Sequence, residues 1–242
     1  MPVPLHNQAA VVIGASSGSG REIAKLLARN GARVIASARR EKLLKSLQEE
    51  LAAEKIAIET FAADASKPTD MEALMAHALE GFGAIDIVVY ATGTNTPDRT
   101  LTRLSAKTWD ELISVNLNGA YYATRAVLPS MRERRAGHLI YIASVSALTP
   151  DISGAAYQAS KRGMLGLAHA VRFEEKTNGI RTCVICPGLV ETELLEKRPV
   201  KPPPEVIAKA LQPIDIAEAV LAVAQMPARA TMTELHITPT LL

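Results

Sequence analysis

The chain is predicted to fold as a single α/β domain, a doubly wound parallel sheet with helices on both faces. Three observations carry the prediction. Short runs of Val, Ile and Ala recur without polar alternation, each is followed by a stretch of helical periodicity, and the first such junction is rich in glycine. Strands apolar on both sides need cover on both sides, and strands separated by helices run parallel. At 242 residues the whole chain, 1–242, is within the size of one such domain.

Taken in order, AAVVIGA reads as a first strand and REIAKLLARNG as the helix that follows. RVIASA and EKLLKSLQEELAAE form the second unit, IAIETFAAD and MEALMAHALEGFG the third. IDIVVYATG opens the fourth, followed by a long helical stretch around WDELISVNLNGAYYATRAVLPSMRERR. HLIYIAS is the fifth strand, a loop is expected at 151 to 154, and a helix from about 157 to 176 precedes the strand RTCVICPG. Gly31, Gly137 and Gly179 are each expected just past a helix end, where a left-handed residue is commonly glycine. The run LEKRPVKPPPEV, 195 to 206, is Pro-rich and charged, and reads as a mobile flap or a spacer. TELHITPTLL reads as a last short strand broken by Pro239.

Composition narrows the function. A net charge of +2 with 4% aromatic residues gives no broad basic surface with stacking rings, so no nucleic-acid partner is expected. No apolar run approaches the ~18 residues of a membrane span, and the amino terminus lacks a basic start and long apolar run; a cytoplasmic protein is expected, with no membrane partner. Cys183 and Cys186 form a CxxC, a spacing found in metal and redox sites. Within a strand, however, residues three apart lie roughly 10 Å apart on opposite faces. A disulfide needs Cα atoms about 4.4 to 6.8 Å apart, so two buried thiols are the better reading. No metal site is expected.

The chemistry begins at IGASSGSGREIA. Gly14, Gly18 and Gly20 let a backbone turn approach a pyrophosphate, and the helix start offers free N–H groups, with Ser16, Ser17 and Ser19 between the glycines. At the end of the second strand an acidic residue would hold the ribose hydroxyls of NAD. Ala38 stands there instead, followed by Arg39 and Arg40, whose guanidinium groups suit the 2′-phosphate of NADP. NADP is therefore expected over NAD, NADPH over NADH, with Arg39 the stronger contact. Asp64 either accepts from the adenine amino group or caps the next turn.

Ser144 ends a strand, and Tyr157 and Lys161 follow one helical turn apart on one face. With the glycine turn, a later Asn116 in SVNLNG, and Pro187 with Gly188, the order resembles the short-chain dehydrogenase/reductase family over nearly the whole chain. The resemblance implies a Rossmann-type sheet and an NADP-dependent oxidoreductase moving hydride between nicotinamide and a small or medium carbonyl/alcohol substrate. It implies Tyr157 as acid/base, its anion favoured by the Lys161 ammonium. Lys161 would also bind the nicotinamide ribose, Ser144 would orient the substrate oxygen, and Asn116 would hold a helix irregularity and a relay water. Thr192 matches a position that contacts the nicotinamide carboxamide and diphosphate, next to Val190, Pro187 and Gly188. The family is commonly dimeric or tetrameric, so a homodimer or homotetramer is expected.

The chain departs from the family pattern where many members have NNAG. Tyr90, Ala91, Thr92 and Gly93 stand there, and the change bears on local packing and on cofactor-ribose contacts. Ile13 and Ser19 also replace the usual residues around the glycines. An alternative is a dinucleotide-sensing or scaffold protein that keeps the fold without turnover. Substrate selection is expected in VSALTPDISG and in a flap at about 193–210, with Leu194, Leu195 and Ile152 as apolar lining. Lys197, Arg198 and Lys201 either attract a carboxylate or are solvated.

Overall fold

The structure, a computed structural model, describes residues 3–242. Its strands are β1 (Ala9–Ile13), β2 (Arg33–Ala38), β3 (Glu59–Ala62), β4 (Ile87–Tyr90), β5 (Gly137–Ile142), β6 (Ile180–Pro187) and β7 (Glu234–Ile237). They form one sheet in the order β3-β2-β1-β4-β5-β6-β7, parallel at every pairing. The helices are α1 (Gly18–Arg29), α2 (Glu41–Ala53), α3 (Pro68–Phe82), α4 (Ala106–Ile113), α5 (Gly119–Arg134), α6 (Ala155–Glu175), α7 (Pro204–Ile207) and α8 (Pro213–Ala224).

Successive strand residues serve opposite cores, as the pleat requires. Val12, Val34 and Ile140 pack with Ile23, Leu27, Leu47 and Val223 from α1, α2 and α8. Their neighbours Val11, Ile35 and Leu139 pack with Leu74, Val127 and Met164 from α3, α5 and α6. Each fully buried Leu or Val stabilises the fold by about 1.5–3 kcal/mol relative to exposure. Cys183 falls in the first core and Cys186 in the second, so the two thiols are buried across the sheet from one another. Burial pushes Cys183 up to about 12 and Cys186 up to about 11, which leaves both as inert thiols.

One local expectation needs correction. Gly31 and Gly179 do take positive φ past helix ends, but Gly137 does not. Arg135 adopts the left-handed conformation after α5 (φ 53°), its N–H satisfied by Arg132 O, and Gly137 already belongs to β5. What demands glycine there is the Met131 side chain, which occupies the space a Cβ would fill. The long helical stretch is divided by a π-turn, Ser114–Asn118, between α4 and α5, at the place where the family resemblance implied a helix irregularity around Asn116.

His138, in β5, is 2% exposed, and neither ring nitrogen finds a partner among the described residues. Burial, helped by the Arg181 charge, holds it down at about 3. The unfolded chain takes up this proton near the usual histidine value of about 6.5, while the folded one does not until far lower pH. The stability gained is therefore complete above about 6.5 and falls by about 1.4 kcal/mol per pH unit on acidification below it. Urea midpoints measured from pH 7 to 5 should fall, and His138→Leu should flatten that slope.

Candidate active site

The carboxyl ends of β1, β4, β5 and β6 open into a cleft of about 460 Å³, within the range of ligand sites. It lies where the strand order reverses, with β1 paired to β2 on one side and β4 on the other.

At one end is the glycine turn. Gly14 (φ 95°) and Gly18 (φ 54°) take conformations that side chains resist. A Cβ on Gly20 would strike the carbonyl oxygen of Gly14, so α1 can start this close to β1 only with glycine there. A Cβ on Gly18 would stand 3.2 Å from Thr192 Cγ2, in the lane between the turn and the opposite wall. The Ser17 side chain, at the N-cap of α1, makes no hydrogen bond to the helix N–H groups, so the first of these in the 12-residue helix stay available to an anion. Ser16, Ser19 and both arginines line the cleft. Arg40 donates to Ser16 Oγ (3.0 Å), to Ser17 Oγ (2.5 Å) and to Glu193 Oε2 (2.8 Å). Arg39 lines the same end with no side-chain hydrogen bond among the described residues. Asp64 accepts from Ser66 N (3.0 Å) and Ser66 Oγ (2.8 Å), the turn-capping arrangement, while still lining the cleft.

The middle is built on the π-turn. Gly119 N–H bonds the carbonyl of Ser114, five residues back, instead of that of Val115. The phenol of Tyr90 donates to the released Val115 carbonyl at 2.5 Å. Tyr90 is fully buried, and burial raises its pKa far above the usual phenol value. Tyr90 in place of Asn thus ties the sheet to the π-turn, a role that motif comparison had left open. Asn116, 0% exposed, clamps Thr94 from both sides: its Oδ1 accepts from Thr94 N (2.8 Å) and its Nδ2 donates to Thr94 O (2.9 Å). Nδ2 also lies 3.1 Å from Ser160 Oγ on α6. Ala91, Thr92 and Gly93 line the cleft beside it, as do Pro187, Gly188, Val190 and Thr192 on the far wall.

At the other end α6 begins after Gly154 (φ 88°), presenting Tyr157 and Lys161 on one face. Lys161 is 3% exposed and donates to Ile142 O at 2.8 Å. Its Nζ lies 5.7 Å from the centre of the Tyr157 ring, and 3.3 Å from where a Cβ on Gly93 would stand. Burial draws the ammonium down to about 8. Tyr157 is pushed up to about 12 by burial, against the lowering effects of the Ser144 hydroxyl and of the Arg198 and Arg99 charges. Lys161 is not among the groups that lower the phenol here; its Nζ is bonded to the Ile142 carbonyl instead. Ser144 takes part in a hydroxyl chain: its Oγ is 3.1 Å from Ser146 Oγ, which donates to Asp151 Oδ2 at 2.6 Å.

Leu194 and Leu195 line this end, but Ile152 does not; it is 74% exposed. Asp151 Oδ1 accepts from Ser153 N (2.8 Å), and the tight turn directs Ile152 outward. The segment after Thr192 forms a short 3₁₀ turn, Glu193–Lys197, pinned at both ends of the cleft. Glu193 pairs with Arg40, Lys197 Nζ donates to Thr94 Oγ1 (2.6 Å), and Lys197 O accepts from Arg99 Nη2 (2.6 Å). Glu193 and Arg99 escaped motif reading; Ser146 and Asp151 lay in a segment expected to select substrate, without individual roles.

The short chain dehydrogenase family model matches residues 8–202. An uncharacterized oxidoreductase of Staphylococcus saprophyticus is 34% identical over 238 residues, covering 98% of this chain and 99% of that one. The crystal structure of a metagenomic short-chain oxidoreductase in complex with NADP superposes with a TM-score of 0.85 at 32% identity, covering 99% of this chain and 100% of that one. A variant of actinorhodin polyketide ketoreductase with NADPH gives 0.88 at 30% identity, covering 100% and 99%. The chain belongs to the short-chain dehydrogenase family of oxidoreductases. No helix among the described residues is long and apolar enough to cross a membrane.

Proposed function

We propose that the protein is an NADP-dependent reductase or dehydrogenase that moves hydride between nicotinamide and a small or medium carbonyl/alcohol substrate, with Tyr157 as its acid/base. One observation carries this reading: Tyr157, Ser144 and the buried Lys161 meet at one end of a cleft whose other end holds an uncapped helix start with Arg39 and Arg40. Two structural relatives bound to NADP or NADPH support the choice of cofactor.

The residues fit a dinucleotide. The glycines keep clear the lane that side chains would fill, the start of α1 with Ser16, Ser17 and Ser19 would hold the diphosphate, and Arg39 and Arg40 would hold the 2′-phosphate. When bound, the dihydronicotinamide supplies the hydride. Everything else falls to the chain. Tyr157 is protonated at neutral pH, since burial lifts it to about 12, and so is ready to give its proton to a carbonyl oxygen. Ser144 steadies that oxygen by a second hydrogen bond. The phenolate left behind is favoured by the Ser144 hydroxyl and by the Arg198 and Arg99 charges, and a lysine drawn down to about 8 readily returns the proton. Asn116 keeps Thr94 and α6 in place around Lys161. Residues 193–210 act as the substrate flap, a homodimer or homotetramer is the working form, and the cytoplasm its place.

The test is a titration of the protein with NADPH and NADH, followed by a carbonyl screen at saturating NADPH. NADPH should bind at least tenfold more tightly, the scale of one charge-assisted contact. Equal affinities would remove the role given to the arginines. Tight NADPH binding with no consumption across a broad carbonyl panel would favour a sensing or scaffold role instead.

A further inference from the structure

At the Tyr157 end of the cleft stands a cation that acts on Tyr157 through its charge alone. Arg99 is 6% exposed, yet no carboxylate pairs with it among the described residues. Its Nε donates to Thr96 O (2.9 Å) and its Nη2 to Lys197 O (2.6 Å), which leaves Nη1 without a hydrogen bond while the side chain lines the cleft. Carbonyl oxygens satisfy donors without neutralising the charge, and a buried charge without a counter-ion is costly to keep. The fold goes to some length to keep it. Gly154 has no Cβ where the Arg99 stem passes, and Asn95 Nδ2 fixes the same loop to Ser153 O at 3.0 Å.

The surrounding charges are Asp151, Lys197, Arg198, Lys161 and Tyr157. Asp151 is the only carboxylate of this set, and it is occupied by Ser146 Oγ and Ser153 N instead of the guanidinium. Lys197 is turned to Thr94. Arg198 lines the cleft with no side-chain hydrogen bond or ion pair among the described residues, and its charge bears on Arg99. Two guanidinium groups thus line the cleft near the proton donor with no carboxylate bonded to either among the described residues, Asp151 acting on Arg99 only through its charge.

We infer that Arg99 and Arg198 form a clamp for a substrate carboxylate, so that the carbonyl compounds reduced here are oxo acids and the products hydroxy acids. The inference rests on the reading of Tyr157 as the proton donor and adds the substrate class. The carboxylate spans Nη1 of Arg99 and the Arg198 guanidinium, and the carbonyl a few bonds away reaches Tyr157 and Ser144. Hydride goes to the carbonyl carbon and the phenol proton to its oxygen, while the carboxylate is unchanged.

The decisive experiment compares 2-oxo and 3-oxo carboxylic acids with their methyl esters, using the NADPH-saturated enzyme. The acids should be favoured in kcat/KM by about 10- to 100-fold, as befits charge-assisted contacts. Arg99→Gln and Arg198→Ala should each bring the acid-to-ester ratio toward one, and Arg99→Lys should restore part of it. Arg99 also holds the flap through Lys197 O, but loss of that strut would lower acid and ester together and leave the ratio unchanged. A second measurement needs no turnover: quenching of bound NADPH fluorescence by butyrate against butyramide, with butyrate expected to bind more tightly to the wild type only. Esters used as well as acids by the wild type, or butyrate no better than butyramide, would overturn the clamp. If NADPH binds but neither acids nor esters are reduced, the oxidoreductase reading fails, and the butyrate titration still decides whether the anion subsite exists.

Discussion

Tyr157→Phe should lower turnover by about 100- to 10,000-fold, the range for loss of a positioned general acid, while NADPH affinity stays near the wild-type value. The phenyl ring keeps the packing of the start of α6 and removes only the hydroxyl beside Ser144. Direction of reaction adds a second signature. With the phenol lifted to about 12, its protonated form dominates at pH 7, so carbonyl reduction needs no further activation there. Alcohol oxidation needs the deprotonated phenol and should accelerate as pH rises above neutrality, in wild type but not in the variant. Steady-state rates in both directions from pH 6 to 10 check both statements. A variant that keeps its turnover would remove Tyr157 from the chemistry.

Removing the paired cations at the opposite end should reverse cofactor preference. Arg39→Ala is expected to weaken NADPH binding by about 10- to 100-fold with little effect on NADH, because only the former carries the 2′-phosphate. Arg40→Ala should cost less. Arg40 is already paired with Glu193, Ser16 and Ser17, so a phosphate gains from Arg40 only what remains after that carboxylate is displaced. Arg39 has no such competitor. NADPH binding to the wild type should also weaken as salt is added, since both guanidinium groups lie near solvent. Dissociation constants for both cofactors, measured on the wild type and the two variants at two salt concentrations, are sufficient.

The alternation of doubly covered strands and amphipathic helices was legible because it rests on local periodicity. So was the Ser144, Tyr157 and Lys161 set: a strand end and an i,i+4 pair are one-dimensional patterns with a fixed meaning in space. Gly137 was misplaced for a related reason. A glycine after a basic run reads as a helix cap, yet Arg135 accepts the left-handed conformation and Gly137 makes way for Met131. The π-turn leaves little trace in hydrophobic spacing, because it shifts the helix by a single residue. Tyr90 stood out only as a departure from a motif; its bond to Val115 O depends on a carbonyl that the π-turn sets free. Arg99 carried no signal at all. Its neighbours lie at Thr96, Gly154 and Lys197, brought together by the start of α6 and the turn Glu193–Lys197.

The position of β1 inside the sheet, between β2 and β4, bears on how the molecule comes into being. Ala9 N–H donates to Asp86 Oδ2 across 77 residues, and each strand pairing of β1 waits for a helix to be made first. Between Gly14 and Thr192, the facing walls of the cleft, a ribosome adding about 5–20 residues per second works for about 10 to 35 seconds. For that interval the glycine turn exists without its opposite wall, and the apolar edge of β1 is without β4 for the first part of it. The nascent chain therefore carries an exposed apolar strand edge well before the two walls of its cleft can meet.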